Sequence, residues 1–202
     1  MQRGARKGPL RPANLMISLP FRRTPKDPSI EVLYGMIVAQ ARAPVFYAEY
    51  KVPDTVAGRT DMIMLHLVLV LRRLRAAATD LRGLGQGLFD RFCRDVDDNL
   101  REMGVGDLAV PRRMRAVGEA FYGRARAYDR ALDAGDTVAL AGALARNVFD
   151  RADPPLGASR LATYMEEALR RLTATDDVAL ARGQIDFPDP AIKDLGAGTQ
   201  KT

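Results

Sequence analysis

From Met62 to Leu71 the chain reads MIMLHLVLVL, ten residues in which His66 is the only polar side chain. A helix built on this run is apolar on every face, has no side that water can occupy, and must be covered all round by other elements. Ten residues rise only about 15 Å at the α-helical spacing, against the roughly 20 residues that cross a bilayer, and Arg72, Arg73 and Arg75 follow at once. The run therefore predicts the central helix of a bundle, over about residues 61–75, and not a membrane span. With 47% apolar residues in a chain of 202, one core is affordable. The expected fold is an all-α, single-domain helical bundle wrapped around this helix.

The neighbouring segments carry the patterns such a bundle needs. Ser29 is a natural N-cap, and Ile30, Leu33, Tyr34, Ile37, Val38 and Ala41 keep a 3.6-residue stripe that ends before Pro44. Gly83, Gly85 and Gly87 read as a loosened connection. After them Leu88, Phe89, Phe92, Cys93, Val96, Leu100 and Met103 form one apolar stripe, with Asp90–Arg94, Arg91–Asp95, Arg94–Asp98 and Asp97–Arg101 as i,i+4 pairs opposite. That helix should stop at Gly104 and Gly106. The next starts at Val110-Pro111 and runs to Ala134 before Gly135. Its stripe of Val110, Met114, Val117, Phe121, Ala125, Tyr128 and Leu132 alternates steps of four and three, a seam that needs a neighbouring helix or a partner. Asp136 and Ser159 are expected caps of two further helices, separated by Asp153-Pro154-Pro155. The expected organisation is a largely disordered, basic, Pro-rich tail over 1–28, a helical domain over 29–183 and a C-terminal tail over 184–202 that frays after Phe187.

The segment leading into the central helix is set between Pro44 and Pro53, each of which pushes the preceding residue to extended or turn geometry. It packs Phe46, Tyr47 and Tyr50 into five residues, and Asp54 is the expected cap of a short turn that Gly58 and Thr60 reset before the apolar helix. Two explanations stay open for the aromatics. They seal one end of the core, or they form an edge that binds a partner, since tyrosine offers both a ring and a hydroxyl at an interface.

Charge is unevenly placed. Seven of the 31 basic residues lie in residues 1–26 with no acid among them, and the other 24 face 25 acids. A near-neutral domain lacks the basic face that drives non-specific phosphate binding, so specific DNA binding is not expected, and contact with an anionic membrane or a ribosome is assigned to residues 1–26. Met16 stands as an alternative start. One cysteine, Cys93, excludes an internal disulfide and reads as an inert core thiol. One histidine and one cysteine leave a protein-only zinc site half unfilled, and Asp95–Leu100 lacks the Gly and Glu of a calcium loop, so no metal is expected. His66 in an apolar helix is either a core histidine held by a hydrogen bond or a haem ligand; the first is preferred and no cofactor is expected. With no Ser-His-Asp set, phosphate-cradling loop or CxxC, the chain is not expected to be an enzyme.

The run LYGMIVAQAR from Leu33, then APVFY, VPDT, GRTDMIMLH, QGLFDRF, DDNLREMGVGD and AFYGRARAYDRAL, resembles the ubiquinol-cytochrome c chaperone family, bacterial relatives of mitochondrial cytochrome bc1 assembly factors, over about residues 29–150. The resemblance implies a non-enzymatic chaperone for assembly of the bc1 complex of the respiratory chain. It implies newly made or apo cytochrome b as client, and a small helical co-chaperone as a further partner. The expected location is cytoplasmic or peripheral at the cytoplasmic face of the inner membrane, the matrix side in a mitochondrion. Combined with the residue patterns, the expected partner-binding set is Phe46, Tyr47, Tyr50, Asp54 and Arg59, joined by Arg112, Arg113 and Arg124 from the Arg-rich helix. A ribosome- or RNA-docking helical module and a small-molecule or haem-binding helical protein are the alternatives.

Overall fold

A computed structural model describes residues 28–78 and 80–192. They form α1 (Pro28–Ala41), α2 (Pro44–Ala48), α3 (Val56–Arg75), α4 (Arg82–Glu102), α5 (Val110–Ala134), α6 (Thr137–Val148), α7 (Leu156–Ala174) and α8 (Asp177–Ala181), with no strand among the described residues. The fold is all-α, as the sequence predicts. The expectations for residues 1–27 and for the end of the C-terminal tail fall outside the described residues.

Helix α3 is the hub. It packs against α1, α4, α5, α6 and α7, and every residue from Met62 to Leu71 is buried. The helix is longer than expected, because it starts at Val56 and runs straight through Gly58 and Thr60. Thr55, not Asp54, caps it, its hydroxyl accepting from the Gly58 N–H at 3.1 Å. A Cβ at Gly58 would sit 2.0 Å from the Pro53 carbonyl oxygen, so this glycine permits a close approach of the incoming chain rather than a break. At the other end Arg73 is buried. Its Nε donates to the Leu172 carbonyl at 3.0 Å, and its Nη2 to the Thr175 carbonyl at 2.6 Å and the Asp177 carboxylate at 2.8 Å. The guanidinium thus gathers the Leu172 and Thr175 carbonyls at the end of α7, where a cation also suits the helix dipole.

Other boundaries move for identifiable reasons. Gly83, Gly85 and Gly87 lie inside α4 and not in a connection: a Cβ at Gly87 would come within 2.3 Å of Ile30 Cδ1, so its absence lets α1 and α4 pack closely. Helix α1 begins at Pro28 rather than after a Ser29 cap, and α7 at Leu156 rather than after Ser159, because the extended Pro155 already launches it. Helices α4 and α5 stop at Gly104 and Gly135, both with positive φ, as expected. Of the four expected i,i+4 pairs on α4, Arg91–Asp95 (3.6 Å) and Asp97–Arg101 (2.7 Å) form. Arg91 also reaches Glu31 at 3.1 Å, and Asp95 accepts from the Tyr34 hydroxyl at 2.9 Å, so α1 packs on part of the polar face of α4. Cys93 is only half-buried, and its thiol is pushed up to about 11 by burial and then by the Asp90 carboxylate.

The segment after α8 is not frayed. Gly183, Ile185, Pro188 and Pro190 are buried, and residues 183–190 strap the bundle. The Pro188 carbonyl accepts from Gln40 Nε2 at 2.9 Å and the Pro190 carbonyl from the Tyr50 hydroxyl at 3.0 Å. Under the strap lies His66, fully buried, with Phe187 at 5.1 Å between ring centroids and Phe46 at 5.7 Å. The Met62 carbonyl can only accept, so His66 Nδ1 donates to it at 2.7 Å; Nε2 is then the acceptor of the Tyr164 hydroxyl at 2.8 Å, and that hydroxyl oxygen accepts from Gln40 Nε2 at 3.0 Å. Both ring nitrogens are engaged, which satisfies the one polar side chain of the central run.

Two outcomes are expected. Burial lowers the His66 pKa to about 4, so between roughly pH 6.5 and 4 the unfolded chain holds a proton that the folded chain does not. Stability contributed by neutral His66 is present above pH 6.5 and is lost as pH falls towards 4. Asp61, raised to about 6 by burial, works in the opposite sense below pH 6, so the readout is a difference. Relative to His66→Phe, the wild type should lose about 2 kcal/mol between pH 7.5 and 5 in denaturant titrations, and parallel curves would remove His66 as the cause. Ending the chain after Gly183 strips the strap and leaves the Tyr50 hydroxyl and one donor of Gln40 without acceptors. The unfolding free energy should fall by on the order of 3–5 kcal/mol, and an unchanged midpoint would show that the strap is not part of the core.

Candidate functional site: a groove between three helices

Helix α5 closes its predicted seam at Val110 and again from Phe121, but not between them. From Phe121 onward the seam is anchored in the core: Phe121, Tyr128 and Ala131 are buried, with the Phe121 ring 5.0 Å from Phe89. One turn and more earlier, Met114 and Val117 are only half-buried. There the first turns of α3, the second half of α4 and the first half of α5 enclose a groove of about 470 Å³. Its lining is mostly apolar, from Ile63 and Met64 of α3, Phe92, Val96, Leu100 and Met103 of α4, and Ala116, Val117 and Ala120 of α5. Arg42, Arg59, Arg113, Arg124, Asp61 and Asp95 supply charge around it.

The polar groups differ in how far they are already committed. Arg124 and Asp61 pair at 2.8 Å, both mostly buried, and Arg124 Nη2 also donates to the Asn147 carbonyl at 3.1 Å. Burial raises the Asp61 pKa to about 6 against the opposing pull of Arg124. Arg42 and Arg113, in contrast, make no ion pair among the described residues. A second hollow of about 460 Å³, lined by Arg42, Pro44, Tyr47, Ala48, Asp54 and Arg59, adjoins the first and shares Arg42 and Arg59 with it. Here Arg59 donates to Asp54 at 2.7 Å and lies 5.8 Å from the Tyr47 ring centroid. The hydrogen bond from Arg59 holds the Asp54 carboxyl below its usual range, and burial raises the Tyr47 phenol. The Tyr47 hydroxyl is spent on the Ala41 carbonyl at 2.8 Å, which fixes the ring at the mouth of the hollow.

Five of the residues singled out from sequence therefore meet on one surface: Tyr47, Asp54, Arg59, Arg113 and Arg124. Phe46 and Tyr50 do not reach it. Both are buried, stacked edge to face at 5.4 Å with Tyr164 behind Phe46, so they plug the core and set the position of the chain that carries Tyr47. Arg112 lies on the outer side of α5 and does not line the groove. Sequence reasoning missed Arg42, Asp61, Met64 and the Val96–Met103 wall. The available signal was the apolar stripe of α4, which runs to Met103 opposite the stretch of α5 between buried Val110 and Phe121, where Met114 and Val117 are only half-buried. No group of three or more potential metal ligands occurs among the described residues, and no described helix is long and apolar enough to cross a membrane.

Comparison with known proteins adds an independent line. A search of curated proteins returned no match. Among solved structures, the crystal structure of the Cbp3 homolog from Brucella abortus is similar at a TM-score of 0.74 and 43% identity, with 81% of this chain and 90% of that chain covered. The sequence model of the family described as Ubiquinol-cytochrome C chaperone matches residues 48–187. Against the resemblance expected over about 29–150, the match begins later, at residue 48, and runs beyond residue 150 to take in α7, α8 and much of the strap. That extent suits the packing, since Tyr164 and Phe187 complete the aromatic cluster around Phe46 and His66. The chain belongs to the ubiquinol-cytochrome C chaperone family.

Proposed function

We propose that this chain is an assembly chaperone of the cytochrome bc1 complex and that the groove between α3, α4 and α5 holds an apolar segment of newly made cytochrome b. The family supports the first half of this reading. The observation that carries the second is the gap in the seam: Val117 keeps the heptad-like spacing of buried Val110, Phe121 and Tyr128, yet it is only half-buried and lines the groove with Ala116 and Ala120. A membrane-bound client offers segments of roughly 20 apolar residues that must be kept from water before insertion, and a helix laid in a groove presents anchors at i, i+3, i+4 and i+7. Uncommitted Arg42 and Arg113 would flank such a segment and favour one with acidic or carbonyl groups at its ends. We assign the adjoining hollow at Tyr47 to a second polypeptide, a small helical partner, because its ring is presented on one side and anchored on the other. In this reading the protein does no covalent chemistry.

The test is a photo-crosslinking residue placed at Val117, at Arg113 or, as control, at Val138, which is 81% exposed on α6 away from the groove. In cells assembling the bc1 complex, the first two positions should capture cytochrome b and Val138 should not. Equal capture from Val138 would overturn the assignment. Val117→Glu, which puts a charge on a half-buried floor position, should cut client co-purification at least tenfold, about 1.4 kcal/mol of binding, while unfolding free energy changes by no more than about 1 kcal/mol. Undiminished co-purification would place the client elsewhere.

A further inference from the structure

The side of α5 turned away from the groove and the core has a composition that neither of those roles uses. Arg112, Arg115, Arg126 and Arg130 are all exposed, and none makes an ion pair among the described residues. Their spacing of three, eleven and four residues keeps them on one stripe of the helix, about 27 Å long at 1.5 Å per residue. Glu119 is the one acid on that stripe. Asp129 and Asp133, the other acids of α5, are engaged by Arg72 and Arg75 of α3. The turn before α5 extends the same line: the Val110 N–H bonds to the Gly106 carbonyl at 3.3 Å and the Arg113 N–H to Ala109 at 3.1 Å, so Leu108 precedes Arg112 by one helical turn. Leu108 is 99% exposed.

We propose that this stripe docks the protein on a layer of anionic phospholipid headgroups, independently of whatever the groove holds. Charge complementarity supplies the attraction, since guanidinium groups pair with phosphate oxygens in bidentate fashion. A straight row along one helix suits a planar surface. Leu108 decides between a bilayer and the other common polyanion, nucleic acid. An apolar side chain wholly in water at the end of a basic row gains by entering the acyl boundary and gains nothing against a phosphate backbone, and the stripe has no aromatic ring on which a base would stack. Docked this way, α5 lies along the membrane surface.

The experiment is co-sedimentation of the full chain with vesicles of phosphatidylcholine and phosphatidylglycerol in a two-to-one ratio, against pure phosphatidylcholine, at low and high salt. It is run also in a background with the seven basic residues of 1–26 changed to glutamine, so that their contribution is separated. Arg112→Gln alone should lower the partition coefficient about fivefold, and the four arginines changed together should lower it well over tenfold, in both backgrounds. Glu119→Lys should raise it, a gain that an unfolded protein would not reproduce on melting-point-matched samples. Leu108→Ser should weaken binding to the mixed vesicles at high salt, where the charge contribution is screened and the apolar one is not. Binding unchanged by the fourfold variant, or equal on neutral vesicles, overturns the proposal. So does tighter binding to single-stranded RNA than to vesicles at the same salt, if the fourfold variant loses it and Leu108→Ser does not; the stripe would then be an RNA surface.

Discussion

A helix that is apolar on all sides imposes one requirement on everything around it, which is complete cover. Five helices meet that requirement for α3, and the strap over 183–190 closes the remaining side. The single polar side chain in the run makes the requirement stricter. Burying an imidazole without partners costs more than any one contact returns, so His66 is held in one tautomer by Met62 and Tyr164 and is kept neutral by its surroundings. Tyr164 is in turn held by Gln40, and Gln40 by the strap. Four elements distant in sequence are thus tied through one hydrogen-bonded chain, so the identity of the central run propagates to the position of the last described residues.

The groove follows from where this cover stops. Beyond Met62 towards its start, α3 carries Asp61, Thr60 and Arg59, which water tolerates, so α4 and α5 are not drawn tightly over it. Both nevertheless keep apolar side chains on the facing sides, at Leu100 and Met103 on one and Ala116, Val117 and Ala120 on the other. The mostly buried Asp61–Arg124 pair is part of the groove's lining. Breaking such a pair by removing one partner leaves an uncompensated charge, so this part of the wall is held in place.

Much of the architecture was legible because it rests on periodicity. The central run, the stripe of α4, the heptad-like spacing of α5 and the Gly104, Gly135 and Asp136 boundaries all follow from local rules, and the structure agrees with them. What local rules mistook were residues whose reason is tertiary. Gly58 and Gly87 read as breaks, but they are points where another chain segment comes too close for a Cβ. Pro188 and Pro190 read as a frayed end, but proline costs a strap nothing when the strap needs carbonyl acceptors more than N–H donors, and their carbonyls are what Gln40 and Tyr50 require. The aromatic block was read with both meanings open, and it divides by residue: Phe46 and Tyr50 plug the core, while Tyr47 faces outward beside Arg59. Sequence spacing could not divide them, because α2 is a single helical turn that ends before Tyr50, and which side chains turn inward is set by what α7 and the strap leave room for.

Net charge illustrates a different limit of sequence reasoning. Taken together, residues 27–202 hold nearly equal numbers of acids and bases, which argued against any basic face on the folded domain. That inference assumes that opposite charges are distributed alike. They are not, since about half of the acids are held in specific pairs, among them Asp54 by Arg59, Asp61 by Arg124, Asp129 and Asp133 by Arg72 and Arg75, and Glu167 by Arg170 and Arg171. Several of these pairs set two arginines against shared acids, but α5 contributes only one of its six arginines, Arg124, to any of them. The remainder is a surface whose local charge is strongly positive inside a domain whose sum is near zero. Fields at a surface depend on the charges within about a Debye length, roughly 8–10 Å, and not on the total. One helix can therefore be apolar toward the core, half-open toward a groove and cationic toward the outside, with each of its three faces belonging to a different interaction.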